Sequence, residues 1–164
     1  MQIRLAAPLI FDSIVDGPGL RTVVFTQGCK RHCPGCHNPE THDLLGGKLY
    51  DVEEIKGQIV AAKMQQGITL SGGEPFLQAA ACCELAKAAH AKGMNVWAFS
   101  GFRHEELAAG TPEQQALLKE VDVLVDGPFM IEQRSLDLMF KGSRNQRTLK
   151  LENGKIVGQL KDTL

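Results

Sequence analysis

The sequence predicts an α/β fold, an open partial (β/α) barrel of five to six mostly parallel strands. Three observations predict it. Short apolar runs rich in β-branched residues recur along the chain, as strands buried on both faces require. Stretches with helical periodicity separate them, and that alternation implies parallel pairing with right-handed crossovers. The chain has 164 residues, whereas a closed eight-stranded barrel typically takes about 250. Residues 1–164 read as one domain, without an internal repeat, a low-complexity segment or a linker.

The strands come first. "RTVVFTQ" (21–27), "GITLS" (67–71), "MNVWAFS" (94–100) and "VDVLVD" (121–126) are apolar, and each meets glycine or a turn within two residues. Between them, Asp51 is placed to cap a helix that carries Val52, Ile55, Ile59 and Val60 at helical spacing, with Glu54 three residues after the cap. A second helix is expected from Pro75 through "FLQAAACCELAKAAHA" to Gly93, favoured by its alanines. Thr111-Pro112 opens a third over 112–120. The tail "RTLKLENGKIVGQL" reads as a hairpin turning at Asn153-Gly154.

Composition narrows the function. Eighteen basic residues against nineteen acidic ones leave a net charge of −1, which predicts neither nucleic acid nor membrane as a partner. No signal-peptide pattern and no apolar run of roughly 20 residues is visible, so a cytoplasmic protein is expected. Five cysteines in a reducing compartment read as metal or redox ligands rather than disulfides. One local basic run, Lys141, Arg144, Arg147 and Lys150, offers either a solvated face or a docking surface for an acidic partner.

Three of the cysteines, Cys29, Cys33 and Cys36, lie within eight positions as C-x3-C-x2-C. A [4Fe–4S] cube takes four ligands, usually thiolates. Three from one loop leave one iron open to act as a Lewis acid toward a bound molecule. The alternative is a Cys3His zinc site with His32, His37 or His42 as the fourth ligand. "LSGGEP" (70–75) follows the second strand. Gly72 and Gly73 permit close backbone approach, and Glu74 can accept hydrogen bonds from an ammonium group; the bland reading is a tight strand-to-helix turn. Ser100-Gly101 and Asp126-Gly127 end the next two strands on the same edge, where parallel sheets place ligands. Cys82 and Cys83 sit mid-helix among alanines and read as buried apolar residues. His90 and His104 read as solvated helix histidines.

The triplet, followed by "SGGEP" after the next strand, resembles the radical S-adenosylmethionine (SAM) superfamily. "DGPGLRTVVFTQGC" (16–29), "CHNPET" (36–41), "DGPF" (126–129) and "FKGSRNQR" (140–147) are similar to the glycyl-radical-enzyme activases. "CPGC" with Gly35, the short chain and "GSRNQ" are most like the branch that activates anaerobic ribonucleoside-triphosphate reductase. "GEP" and "CHN" are spelled as in the pyruvate formate-lyase branch.

The resemblance implies a radical SAM type of partial barrel. It implies that Cys29, Cys33 and Cys36 hold a [4Fe–4S] cluster and that the amino and carboxylate groups of SAM chelate its open iron. Gly72, Gly73 and Glu74 then meet the ammonium end of SAM, with Ser100 and Asp126 as further SAM contacts and no separate catalytic side chain. The implied activity is reductive cleavage of SAM to a 5′-deoxyadenosyl radical, which takes hydrogen from a glycine of the reductase. The implied partners are the glycyl-radical subunit and an electron donor such as flavodoxin or ferredoxin. An iron–sulfur electron carrier and a zinc-stabilised binding module are the readings from other classes.

Overall fold

The computed structural model describes residues 1–31, 33–36 and 39–161. Its centre is a parallel core. Strands β3 (Arg21–Thr26), β5 (Gly67–Gly72), β6 (Asn95–Phe99) and β7 (Val123–Asp126) pair in that order, each parallel to the next. These are the four apolar runs of the sequence. They fall in the middle of the sheet because their two faces are both covered: Val24, Ile68, Leu70, Val96, Ala98 and Leu124 lie under the helices, while Trp97, Val123 and Val125 face the other side.

Antiparallel strands extend the core at both edges. β1 (Gln2–Leu5), β2 (Ile10–Ser13) and β4 (Lys48–Asp51) lie on one side, and β8 (Arg147–Glu152) and β9 (Lys155–Gln159) on the other. The whole is a nine-stranded sheet in the order β4-β1-β3-β5-β6-β7-β8-β9, with β2 also on β3. The outer edge of β3 is shared: β2 pairs with Arg21 and Val23, and β1 with Thr26. Five to six mostly parallel strands were expected; among the described residues there are nine, and three of the pairings are parallel. The additional N-terminal strands are only four residues long, and β2 and β4 are largely exposed, so no buried apolar run announces them. The C-terminal hairpin matches its sequence signal: Asn153 and Gly154 both take positive φ, 51° and 80°, as a type I′ turn needs.

Helices α1 (Val52–Ala61), α2 (Ala79–Ala91), α3 (His104–Ala108) and α4 (Pro112–Glu120) connect the parallel strands. Asp51 caps α1 by accepting from Glu53 N, and Thr111 caps α4 by accepting from Gln114 N. Ile55 and Ile59 of α1, Leu85 and Ala89 of α2 and Leu117 of α4 are fully buried against the sheet. Truncating one of the large ones to alanine typically costs about 2–5 kcal/mol. The α2 helix starts later than expected, after a 3-10 turn over Pro75–Gln78. Gln78 is diverted from helical geometry because its amide bonds both polar groups of the Arg4 backbone, each at 2.8 Å, and Gln27 O at 3.2 Å. Helix α3 carries too few apolar residues to stand out in the sequence.

The face of the sheet opposite the helices is aromatic. Trp97 meets Phe140 edge-on at 5.5 Å, with Phe99 beside them. Arg21 is fully buried on this side. Its guanidinium donates to Thr69 Oγ1, Ile68 O and Pro18 O, and burial lowers its pKa to about 10, so it remains charged at neutral pH. These bonds fix the "DGPG" turn to the start of β3. No helix among the described residues is long and apolar enough to cross a membrane.

Candidate functional site

The ends of β3, β5 and β6 open into a cavity of about 440 Å³. Cys29, Cys33 and Cys36 all line it and are all half-buried. The loop that carries them leaves β3 through Gly28, whose φ of 108° suits glycine. Gly28 N donates to Thr41 O at 2.7 Å, and Cys29 N to His42 O at 3.1 Å, so the loop closes on itself. Gln27 reinforces the closure by donating to Glu40 O and Asp43 O. Gly35 lies beneath the "DGPF" segment, where a Cβ would come 2.6 Å from Ile131 Cδ1 and 3.4 Å from Phe129. A side chain at position 35 would be disfavoured by the φ of 73° and would have to move the tip of Ile131.

Among the described residues no three His, Cys, Asp or Glu side chains converge as they would around a single metal ion. Three cysteines that line one cavity fit a multi-iron cluster, in which each would take its own iron. His32 and His37, two of the alternative fourth zinc ligands, lie outside the described residues.

The Gly-Gly-Glu turn sits directly against the cysteine loop. Gly73 N donates to Thr26 O and Glu74 N to Gly28 O, both at 2.8 Å. A Cβ on Gly72 would lie 2.5 Å from Thr26 O, and one on Gly73 would lie 2.4 Å from Gly28 O. The glycines thus serve backbone contact between the two loops, a reason that the sequence alone did not distinguish from ligand approach.

Glu74 is buried, at 2% exposure. Its Oε2 accepts from Phe76 N at 3.2 Å and from Ser100 Oγ at 2.9 Å, and its Oε1 accepts from Gly101 N at 2.7 Å. Burial raises its pKa, while the three donors and the nearby Arg31 guanidinium act the other way. A carboxylate offers about four acceptor positions, so three are already taken. The residue joins the ends of β5 and β6 and still lines the cavity.

Ser100 and Asp126, expected as further SAM contacts, are both bonded within the protein. The Ser100 hydroxyl lines the cavity but is committed to Glu74 and to Phe102 N, 3.0 Å away. Asp126 is buried behind the cavity, where its neighbour Gly127 is the lining residue. Its carboxylate accepts from His104 N at 2.8 Å and pairs with Arg147, which also grips Glu105. Arg147 holds the Glu105 pKa down at about 2. Asp126 therefore fastens α3 and β8 to the end of β7.

The basic run does not form one surface. Lys141 is buried and lines the cavity, Arg147 is spent on Asp126 and Glu105, and Arg144 and Lys150 are exposed. The "GSRNQ" stretch is a clamp. Gln146 Oε1 accepts from Gly142 N and Ser143 N, and its amide donates to Gly127 O. Asn145 donates to Pro128 O. Arg31, which carried no signal of its own in the sequence, also lines the cavity, stacked on Phe102 at 4.7 Å and 3.8 Å from Glu106; its Nε is buried with no hydrogen-bond partner among the described residues. Its place in the cysteine triplet, between Cys29 and Cys33, is the one feature that could have found it.

The remaining residues are outside the site. Cys82 and Cys83 are buried in α2, and burial raises both thiol pKa values, as expected of structural cysteines. The histidines are not simply solvated: His90 bonds Glu120 and Asp122, and His104 bonds Gly154 O at 2.7 Å.

Residues 15–149 match the family described as "4Fe-4S single cluster domain". The anaerobic ribonucleoside-triphosphate reductase-activating protein of Salmonella typhi is 35% identical over 142 residues, covering 81% of this chain and 90% of that protein. Its Vibrio cholerae counterpart is 36% identical over 142 residues, covering 81% and 89%. Among solved structures, QueE from Escherichia coli reaches a TM-score of 0.48 at 14% identity over 61% of this chain and 52% of that one, too slight a likeness to bear on fold or function.

Proposed function

Because the chain belongs to the 4Fe–4S single-cluster family of anaerobic ribonucleoside-triphosphate reductase-activating proteins, we propose that it is a radical SAM activase of that reductase, built as a single domain on an open partial barrel and working in the cytoplasm. The observation that carries the reading is that three thiols and a buried, anchored carboxylate share one cavity at the ends of the parallel strands.

Cys29, Cys33 and Cys36 are the residues that would hold the cluster, with SAM beside it in the same cavity. Bound there, the cluster would supply the electron for reductive cleavage of SAM to methionine and a 5′-deoxyadenosyl radical, which would take a hydrogen atom from a glycine Cα of the reductase. The chain's own residues bind and orient. Gly72 and Gly73 bring the turn against the cysteine loop, and the last acceptor position of Glu74 receives the SAM ammonium. Ser100 positions Glu74, and Asp126 acts at one remove by fixing Gly127 at the cavity wall. The aromatic face of Phe99, Phe129 and Phe140 keeps water from the reacting bond. A flavodoxin or ferredoxin is the class of donor that reduces the cluster.

Anaerobic iron and acid-labile sulfide analysis, with electron paramagnetic resonance of the reduced protein, tests this. Cys29→Ala, Cys33→Ala and Cys36→Ala should each lose the cluster or SAM cleavage, while Cys82→Ala and Cys83→Ala keep both. SAM should change the shape of the wild-type signal. Zinc in place of iron, or a signal indifferent to SAM, would contradict the reading.

A further inference from the structure

Besides the cysteines, Asp16, Arg31, Glu74 and Lys141 are the charged side chains that line the cavity among the described residues. Three of them are hydrogen-bonded to the protein around them. Asp16 accepts from Ser13 Oγ at 2.6 Å, Glu74 accepts from Phe76 N, Ser100 Oγ and Gly101 N, and the Lys141 ammonium donates to Gln146 O. Arg31 differs. Its Nε is buried with no hydrogen-bond partner among the described residues, and its ion-pair partner Glu106 is 3.8 Å away, too far for a hydrogen bond. A buried donor left unpaired is costly. The side chain is nevertheless held in place. It stacks on Phe102 at 4.7 Å and runs over Gly101, where a Cβ would lie 2.5 Å from Arg31 Cδ. It is also the one of the four that belongs to the cysteine loop, between Cys29 and Cys33.

We infer that Arg31 sets the reduction potential of the cluster, holding it higher than three thiolates alone would allow. The inference rests on the proposed function and adds a residue to it. Three thiolates outweigh the positive charge of an oxidised cube. The electron that a flavodoxin or ferredoxin delivers adds a further negative charge, without making or breaking a bond. Net charge and hydrogen bonds to the sulfurs are what tune such a potential. A guanidinium brings both a positive charge and a fork of N–H donors, so it stabilises the reduced state more than the oxidised one. Arg31 is half-buried, and a partly buried charge is screened less than an exposed one. Its charge reaches the cavity wall, where it works against the burial that raises the Glu74 pKa. Stacking on Phe102 and the pair with Glu106 fix where that charge sits.

The test is an anaerobic potentiometric titration of the cluster-loaded protein without SAM, followed by the electron paramagnetic resonance signal of the reduced cluster, with iron content measured on each preparation. Arg31→Gln should load iron as the wild type does and lower the ratio of reduced to oxidised cluster at a fixed potential by roughly tenfold, a fall of about 59 mV in midpoint for one electron. Arg31→Lys keeps the charge and should recover most of that fall. Arg103→Gln, at an exposed cation of the same α3 terminus, should leave the midpoint unchanged. An Arg31→Gln midpoint equal to the wild type's, or an Arg31→Lys midpoint no higher than that of Arg31→Gln, would overturn the assignment of Arg31 alone. An Arg31→Gln protein that loads no iron would overturn it too, since the residue would then serve cluster assembly. A wild-type protein that binds no iron–sulfur cluster would overturn the proposed function together with this inference.

Discussion

The Ser100 hydroxyl donates to Glu74 Oε2 at 2.9 Å, so the ends of β5 and β6 meet at one buried carboxylate. Gly101 N and Phe76 N complete the set of donors. Glu74→Gln keeps the shape but turns one acceptor into a donor, and either amide orientation sets an N–H against another N–H. We expect the loaded protein to lose about 1–3 kcal/mol of stability and SAM affinity to fall by roughly tenfold to a hundredfold. Thermal unfolding and SAM titration of the same preparation read the two effects. Unchanged stability would mean that the anchoring bonds are not made in solution.

Gly73 and Gly57 make a matched pair. An alanine methyl at 73 would lie 2.4 Å from Gly28 O and 2.8 Å from Gly28 C, both backbone atoms. Gly73→Ala must push the turn away from the cysteine loop, costing about 1–3 kcal/mol and most of the iron content. Gly57 lies inside α1, where an added methyl would meet nothing within 4 Å. Gly57→Ala should therefore raise stability by about 0.5–1 kcal/mol with full iron loading. Iron analysis and thermal melts of the two variants check both; a Gly73→Ala protein with wild-type iron content would show that the close approach is not needed.

The four parallel strands were legible because each had to be apolar on both faces, as Val24, Leu70, Ala98 and Leu124 are beneath the helices. The edge strands β1, β2 and β4 were not, because half-exposed four-residue segments leave no such trace. The cysteines and the Gly-Gly-Glu turn stood out by residue type and spacing, but the partners of Glu74 did not, since Ser100 and Gly101 lie 26 and 27 positions away. The basic run misled for a geometric reason. Residues three apart on a strand point to opposite faces, so Arg147 turns to Asp126 while Lys150 is exposed. Lys141 is carried inward by a loop whose bonds depend on Gln146.

His90 should make stability depend on pH near neutrality. Its Nδ1 lies 2.8 Å from Glu120 and its Nε2 2.8 Å from Asp122. Carboxylates only accept, so both bonds are made only by the imidazolium. Burial opposes that charge, but the bonds to Asp122 and Glu120 outweigh it and raise the pKa above its usual 6.5. A raised folded pKa gives stability that is complete below the unfolded value and lost as pH rises through the folded one. The wild-type advantage over His90→Gln should be about 1 kcal/mol near pH 6 and shrink above neutrality. Melting curves across that range decide it; an advantage that grows with pH would contradict the ion pairs.

The central claim is tested most directly by looking for the radical on the partner. Reduced, cluster-loaded protein and SAM are mixed anaerobically with the anaerobic ribonucleoside-triphosphate reductase of the same organism, and in parallel with its pyruvate formate-lyase. Electron paramagnetic resonance should show a glycyl doublet on the reductase alone, and Cys33→Ala should abolish it. A doublet on the lyase alone, or SAM cleavage with neither partner radicalised, would contradict the assignment.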